Sequence, residues 1–324
     1  MADRQQSQSL TLTIRVGISA CLLGAAVRFD GGHKHDRFIA GQLGRYFEFV
    51  PVCPEMAIGL GAPRQPIRLV AEGGATRAVG TRDGALDVTG QLQAFGRETA
   101  CNSSDLCGYI FKKGSPSCGM ERVRVYAANA VPHADGIGLF AAEIMRACPL
   151  LPVEEEGRLN DPVLRENFIS RVFVYARWRA LLAAGLDKAG LVAFHTRHKL
   201  LVMAHSTEGY RRLGRLVSDL QARPLEAIAE AYIEILMDLL RRPATRKRHA
   251  NVLQHLLGYL RKSADPGDRG DLLNAIETYR RGEYPLIVPV RLLHHQFLRH
   301  PHPYVSGQFY LSPYPDALGL RNTV

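Results

Sequence analysis

Three times in its first 120 residues this chain brings an apolar, β-branched run up to a loop that carries a cysteine. LTLTIRVGISACL reaches Cys21, FEFVPVCPEM reaches Cys53, and CGYIFKK leads into GSPSCG with Cys118. Helical patterning fills the intervals, over FIAGQLGRYF and near LDVTGQLQAFGRETACNSSD, and IGLFAAEIMRA then precedes a further short apolar segment, PLLPVE. Strands that alternate with helices predict an α/β fold, here an N-terminal three-layer, Rossmann-like domain with a parallel sheet and helices on both faces. Such sheets collect ligands just outside the carboxyl ends of their strands. The three cysteines are predicted to share that rim. They lie 32 and 65 residues apart, so no local CxxC spacing announces a metal site and any convergence comes from topology.

The pattern changes after EEEGRLNDPVLREN, an acidic cluster with an Asn-Asp-Pro turn, which sets a boundary near residue 155. Two domains are expected, 1–155 and 156–324, because 324 residues exceed what one core usually organises. FISRVFVYARWRALLAA, HKLLVMAHSTEGYRRLGRLV, LEAIAEAYIEILMDLL and HANVLQHLLGYLRK repeat apolar residues at three- and four-residue intervals, which predicts an all-α C-terminal domain. The proline-rich tail from PLIVPV to GLRN is expected to lack long helices and to wrap in extended form over one domain.

The formal charge is +10, and most of it lies in the second half: residues 154–324 carry 25 Lys and Arg against 18 Asp and Glu. A polyanion is the natural partner for such a surface, with nucleic acid first. Arg246, Lys247 and Arg248, in RRPATRKRHANVLQH, are the candidate phosphate contacts, read as a basic span between two helices. No apolar run approaches the roughly 20 residues of a bilayer span, and no protein partner is evident. The leader MADRQQSQSLTLT lacks an apolar signal core, so a cytoplasmic location is expected, with the first eight or so residues a loose leader.

In that compartment six cysteines are not a disulfide framework, which leaves metal binding, catalysis or plain burial. Cys148, in the apolar run IMRACPLL, fits burial; Cys101 and Cys107 match no common cluster motif. The neighbours of the other three are chemically richer. Cys53 is followed by Pro54 and the carboxylate of Glu55, and Cys118 sits in the polar, rigid turn Ser115-Pro116-Ser117-Cys118-Gly119. Three thiolates on one iron–sulfur cluster would leave one iron without a protein ligand.

The stretches ISACLLGAAVRFDGGHK, PVCPEMAIGLGAPRQPIRLV and GYIFKKGSPSCGMERVRVY resemble the thiouracil desulfidases, a family formerly classed as a domain of unknown function. The second half, from FHTRHKLLVMAHS through NVLQHLLGY to LSPYPDALGLRN, resembles the helical domain often fused behind it, and such fusions resemble tRNA 4-thiouridine desulfidases. The resemblance implies a 4Fe-4S cluster held by Cys21, Cys53 and Cys118, with Glu55 and Ser115 assisting catalysis and a thiolated pyrimidine as substrate, in tRNA. Sequence does not separate Ser115 from Ser117; Ser117 and Arg28 are read as substrate contacts. Two other readings stay open: a desulfidase of free thiouracil or thiouridine monophosphate, and a non-catalytic nucleic-acid-binding protein whose cysteines hold a structural metal with a fourth ligand such as Cys107 or His35.

Overall fold

The computed structural model describes residues 13–127 and 131–324. The leader expected over the first eight residues lies outside them. The chain divides into two compact units, the first ending at Gly157 and the second beginning at Arg158.

In the first unit β1 (Arg15–Ser19), β2 (Glu48–Val52), β5 (Leu106–Phe111) and β8 (Val153–Glu155) form an all-parallel sheet in the order β2-β1-β5-β8. This is the parallel α/β arrangement that the alternating pattern predicts. PLLPVE supplies β8, the strand that follows the last helix of the unit. Val16 and Ile18 are fully buried on β1, and Gly17 between them is a packing requirement, since a Cβ there would lie 2.3 Å from the Tyr109 ring on β5. FIAGQLGRYF winds as a short π-helical turn, Phe38–Gln42, and a 3₁₀ turn, Leu43–Arg45.

A second four-stranded sheet stands beside this frame, and the pattern of strands and helices in the sequence did not reveal it. It contains β3 (Ile67–Glu72), β4 (Ala75–Gly80), β6 (Val123–Tyr126) and β7 (His133–Gly136) in the order β4-β3-β6-β7. Its signal was the β3–β4 hairpin, which turns through Gly73-Gly74, both at positive φ; a Gly-Gly pair between strands is a strong hairpin mark. Among the described residues the unit's α-helices are α1 (Pro54–Ala57), α2 (Thr89–Cys101) and α3 (Leu139–Ala147). Leu92 of α2 and Leu139 of α3 pack in one core with Leu69, Val123 and Val125 of the second sheet, while Phe140 of α3 meets the Tyr109 ring of the first.

The second unit is helical: α4 (Pro162–Ala183), α5 (Lys188–His205), α6 (Thr207–Ser218), α7 (Leu225–Arg241), α8 (Arg246–Tyr259), α9 (Pro266–Arg281), α10 (Ile287–Arg299) and the short α11 (Pro303–Ser306). The Asn-Asp-Pro element is the start of α4: the Asp161 carboxylate accepts from the N–H groups of Val163 and Leu164, and Pro162 takes the first helical position. The segment 198–217 is two helices rather than one. Ser206 adopts extended backbone, ends α5 and caps α6 by accepting from Gly209 N–H.

The reading of the tail as free of long helices is corrected. α10 runs for 13 residues with Pro289 at its third position, inside the first turn, where a missing N–H costs no intrahelical hydrogen bond. The segment 266–281, with weak apolar periodicity, is also helical. Beyond α11 the tail packs on its own unit: Tyr310 is fully buried with the core of α8, α9 and α10, and Phe309 N–H donates to the Arg197 carbonyl.

Four buried histidines lie among these helices, and their protons are restricted by burial. His249 Nδ1 meets the Tyr310 hydroxyl at 3.0 Å, His195 Nδ1 meets Tyr232 at 3.2 Å, and His205 Nδ1 lies 2.8 Å from the Arg242 carbonyl. Burial pushes His195 down to about 4 and His198 down to about 3, and lowers His205 and His249. Groups depressed in the fold bind protons preferentially in the unfolded chain, so their stabilisation is full above the ordinary histidine value near 6.5 and falls as the pH drops below it. Each should cost about 1.4 kcal/mol per pH unit between its unfolded and folded values. Thermal melts of the full chain followed by the helical circular dichroism signal are expected to shift down steadily between pH 6.5 and 5, and to change little between pH 7 and 8.

Candidate active site

The three cysteines arrive on three loops at the carboxyl ends of β1, β2 and β5. After Ser19 the chain enters a 3₁₀ turn, Ala20–Leu23, that carries Cys21 and is closed by Gly24 at positive φ. The glycine-rich loop then folds back, with Lys34 N–H donating to the Cys21 carbonyl at 2.9 Å. Cys53 directly follows β2 and precedes Pro54, the first residue of α1, whose Ala57 N–H returns to the Cys53 carbonyl at 3.0 Å. In the third loop the Ser115 hydroxyl oxygen accepts from Cys118 N–H at 3.1 Å, and Gly119 N–H reaches the Ser115 carbonyl at 2.8 Å.

The N-terminus of α3 holds that third loop from behind. The N–H groups of Gly138, Leu139 and Ala141 donate to the carbonyls of Gly119, Pro116 and Ser117. Amides that a helix start leaves without intrahelical partners are thereby satisfied by the cysteine loop. The approach is close enough to require glycine at position 138: a Cβ there would stand 2.6 Å from the Ser117 carbonyl.

Cys21, Cys53 and Cys118 line one cavity of about 370 Å³, together with Glu55, Ser115 and Ser117. They sense one another electrostatically, since Cys53 raises the thiols of both Cys21 and Cys118. Burial is the larger influence on all three and pushes Cys118 up to about 12. Thiols so disfavoured as anions become thiolates when they ligate metal. Among the described residues no three His, Cys, Asp or Glu side chains converge tightly enough for a single metal ion. Three cysteine side chains lining one cavity are the donor set of a group with several metal atoms, in which each thiolate takes its own. Neither Cys107 nor His35 lines the cavity, so neither is placed as a fourth ligand. The donor set fits a three-thiolate cluster.

Glu55 is held on both oxygens. Its Oε1 accepts from the Ser117 hydroxyl at 2.6 Å, and its Oε2 accepts from Arg64 Nε at 2.9 Å and Nη2 at 2.6 Å. The single Ser117 proton goes to Glu55, so Ser115 is the donor in the 3.0 Å contact between the two hydroxyls. Ser117 Oγ also stands 3.7 Å from Cys118 Sγ. The serine in contact with the carboxylate is therefore Ser117, and Ser115 lies one hydroxyl further back.

Arg28 and the exposed Phe29 line the same cavity, along with Lys34, Lys112 and Lys113. Arg28 Nε lies 3.4 Å from Asp30 without hydrogen-bond alignment. Lys112 pairs with Glu156, and its N–H donates to Ser19 Oγ. Arg64 is the site residue that reading the sequence passed over, although it stands in one of the stretches that carry the family resemblance. In the helical unit Arg246, Lys247 and Arg248 form the exposed first turn of α8. Arg246 is already engaged there, with Nη1 near the carbonyls of Tyr279 and Tyr284 and its guanidinium 5.2 Å from the Tyr279 ring centre.

Residues 16–156 match the family model described as 2-thiouracil desulfurase, and residues 199–315 match that of a protein of unknown function, DUF1722. The chain is 35% identical to the uncharacterized protein YbgA of Escherichia coli (strain K12) over 159 residues, which are 49% of this chain and 94% of YbgA. Among solved structures it is similar to a 4Fe-4S-dependent thiouracil desulfidase, TudS, at 29% identity and a TM-score of 0.37, over 46% of this chain and 95% of that one. Among the described residues no helix is long and apolar enough to cross a membrane.

The contact between α3 and the cysteine loop is open to direct test. Gly138→Ala is expected to lower stability by about 1–3 kcal/mol in urea melts and to speed the reaction of the Cys118 thiol with Ellman's reagent. Gly41→Ala, where nothing lies within 4 Å of an added Cβ, should leave both measurements near those of the parent.

Proposed function

The chain belongs to one family with YbgA of Escherichia coli, and because its residues 16–156 match the 2-thiouracil desulfurase family model, we propose that this protein is a 4Fe-4S-dependent desulfidase that replaces the sulfur of a thiolated pyrimidine with oxygen. The observation that carries the reading is the one cavity that Cys21, Cys53 and Cys118 line together with the hydrogen-bonded Glu55–Ser117 pair. A cluster bound through three thiolates supplies a Lewis-acidic iron without a protein ligand, suited to a soft thiocarbonyl sulfur.

The protein's own groups then do the proton work. In this reading Glu55 takes a proton from a water that attacks the thiocarbonyl carbon, and the Ser117 hydroxyl, in contact with Glu55 and 3.7 Å from Cys118 Sγ, passes a proton onward. Ser115 completes the row by donating to Ser117. The sum is thiocarbonyl plus water giving carbonyl plus hydrogen sulfide, with no net oxidation or reduction. Phe29 offers an aromatic face at the cavity, and Arg28, Lys34 and Lys113 supply positive charge there.

For the substrate we favour 4-thiouridine in tRNA, on the basic excess of residues 154–324 and the cations around the cavity. A polynucleotide would be gripped by its backbone while the modified base is unstacked into the site. Lys247 and Arg248, exposed on the first turn of α8, remain candidate phosphate contacts. A free thiouracil or thiouridine monophosphate is the second reading, and the description of the matched family supports it.

The test is an anaerobic assay of the cluster-loaded protein on 4-thiouridine-containing tRNA, free thiouracil and thiouridine monophosphate, following loss of thiocarbonyl absorbance and release of sulfide. Equimolar sulfide and carbonyl product are expected, with no turnover in Cys118→Ala. On tRNA the KM should climb steeply with added salt, while a free base should show little salt dependence. A loaded protein silent on all three substrates would remove the desulfidase reading.

A further inference from the structure

Arg64 lines the cavity, yet its side chain is only 6% exposed and its hydrogen bonds all turn inward. Nε and Nη2 both donate to Glu55 Oε2. Nη1 and Nη2 each reach the Val27 carbonyl at 3.0 Å, and Nη1 also donates to the Gly61 carbonyl and lies 3.7 Å from Met56 Sδ. Its backbone N–H donates to the Phe29 carbonyl at 2.9 Å. Every N–H direction of the guanidinium therefore has a protein acceptor, and none is left for a substrate phosphate or base edge.

The fork falls on one carboxylate oxygen alone. Oε2 receives two charge-assisted bonds, while Oε1 receives only the Ser117 hydroxyl. The two oxygens of Glu55 are thus made unequal, and the carboxylate is locked about its terminal torsion, an otherwise soft degree of freedom. Val27 and Phe29 belong to the loop that follows Cys21, and Gly61 to the loop that follows Cys53 and α1. The same guanidinium therefore ties two of the three cysteine loops to the acid between them.

We propose that Arg64 is the positioning residue of the reaction, aiming Glu55 Oε1 at the Ser117 hydroxyl and the attacking water without itself touching substrate. This rests on the desulfidase reading above. Lysine cannot reproduce the role in full, since a point charge can pair with Oε2 but lacks the planar fork that fixes its orientation.

The experiment compares the full chain with Arg64→Lys and Arg64→Met, each reconstituted with iron and sulfide. Three quantities are read: iron and sulfide content per chain, KM and kcat. A positioning role predicts cluster content equal to the parent's, KM within about threefold, and kcat reduced by about 100-fold in Arg64→Met, the lower end of the usual contribution of an acid–base group. Arg64→Lys should load equally and recover about tenfold of that loss. Should the methionine variant fold poorly, the lysine variant decides by the same three quantities.

A kcat that falls only in proportion to iron content would overturn the proposal and make Arg64 a scaffold for the cysteine loops. A KM raised more than about tenfold at unchanged kcat would overturn it in favour of a substrate contact. Parent protein that is fully loaded and inactive on every thiolated pyrimidine would defeat the desulfidase reading and the Arg64 role together, an outcome distinct from an active parent with an indifferent Arg64.

Discussion

Parallel pairing of β1 with β2 on one side and β5 on the other is the constraint on which the rest of the first unit depends. In a parallel ladder all strands end on the same edge, and the loops that leave those ends must share it. Cys21, Cys53 and Cys118 are far apart in sequence, and this shared edge is what brings their loops to one cavity. The pairing in turn needs Gly17, because the Tyr109 ring lies where any larger residue on β1 would place its first carbon.

The cysteine-bearing loops need support, and here it comes from backbone as much as from side chains. The start of α3 spends its free amides on the carbonyls of the Cys118 loop, the loop after Cys21 folds back onto its own turn, and Cys53 is fixed by the proline-led start of α1. Buried thiols with raised proton affinities and a buried Arg64–Glu55 pair are each expensive in isolation. Placed together around one cavity, they are groups that a thiolate-bound cluster and a proton-transfer step would use. The second sheet contributes by packing its apolar face against α2 and α3, which holds the α3 N-terminus where the cysteine loop needs it.

The helical unit is organised differently. Its core mixes Leu and Ile with tyrosines and neutral histidines, and three of the histidines meet a polar partner: His249 with Tyr310, His195 with Tyr232, and His205 with the carbonyl that follows α7. Such pairs keep polar groups inside at little cost only while the imidazoles remain uncharged. The basic residues that give this half its charge are largely outside this core. Arg246 shows that a basic run need not be a free surface, because part of it is committed to the aromatic ring and carbonyls of α9 and its exit.

Local chemistry by itself determined the alternation of strand and helix in the first half, the helical periodicity of the second, and the three cysteines at strand ends with Glu55 and the Ser115–Ser117 turn beside them. These follow from side-chain period, turn residues and thiol chemistry, which are properties of neighbouring residues. The second sheet was legible only in its β3–β4 hairpin, marked by Gly73-Gly74; what joins the two hairpins into one sheet is the pairing of β3 with β6, segments distant in the chain that no local pattern links. The helix from Ile287 was obscured by a proline whose harmless first-turn position depends on where the helix begins. Within the site, only the tertiary structure decided that Ser117 rather than Ser115 faces Glu55, and that Arg64 closes on the same carboxylate. Both depend on hydrogen-bond directions between separate loops, and no spacing along one chain encodes which of two nearby hydroxyls will be turned inward.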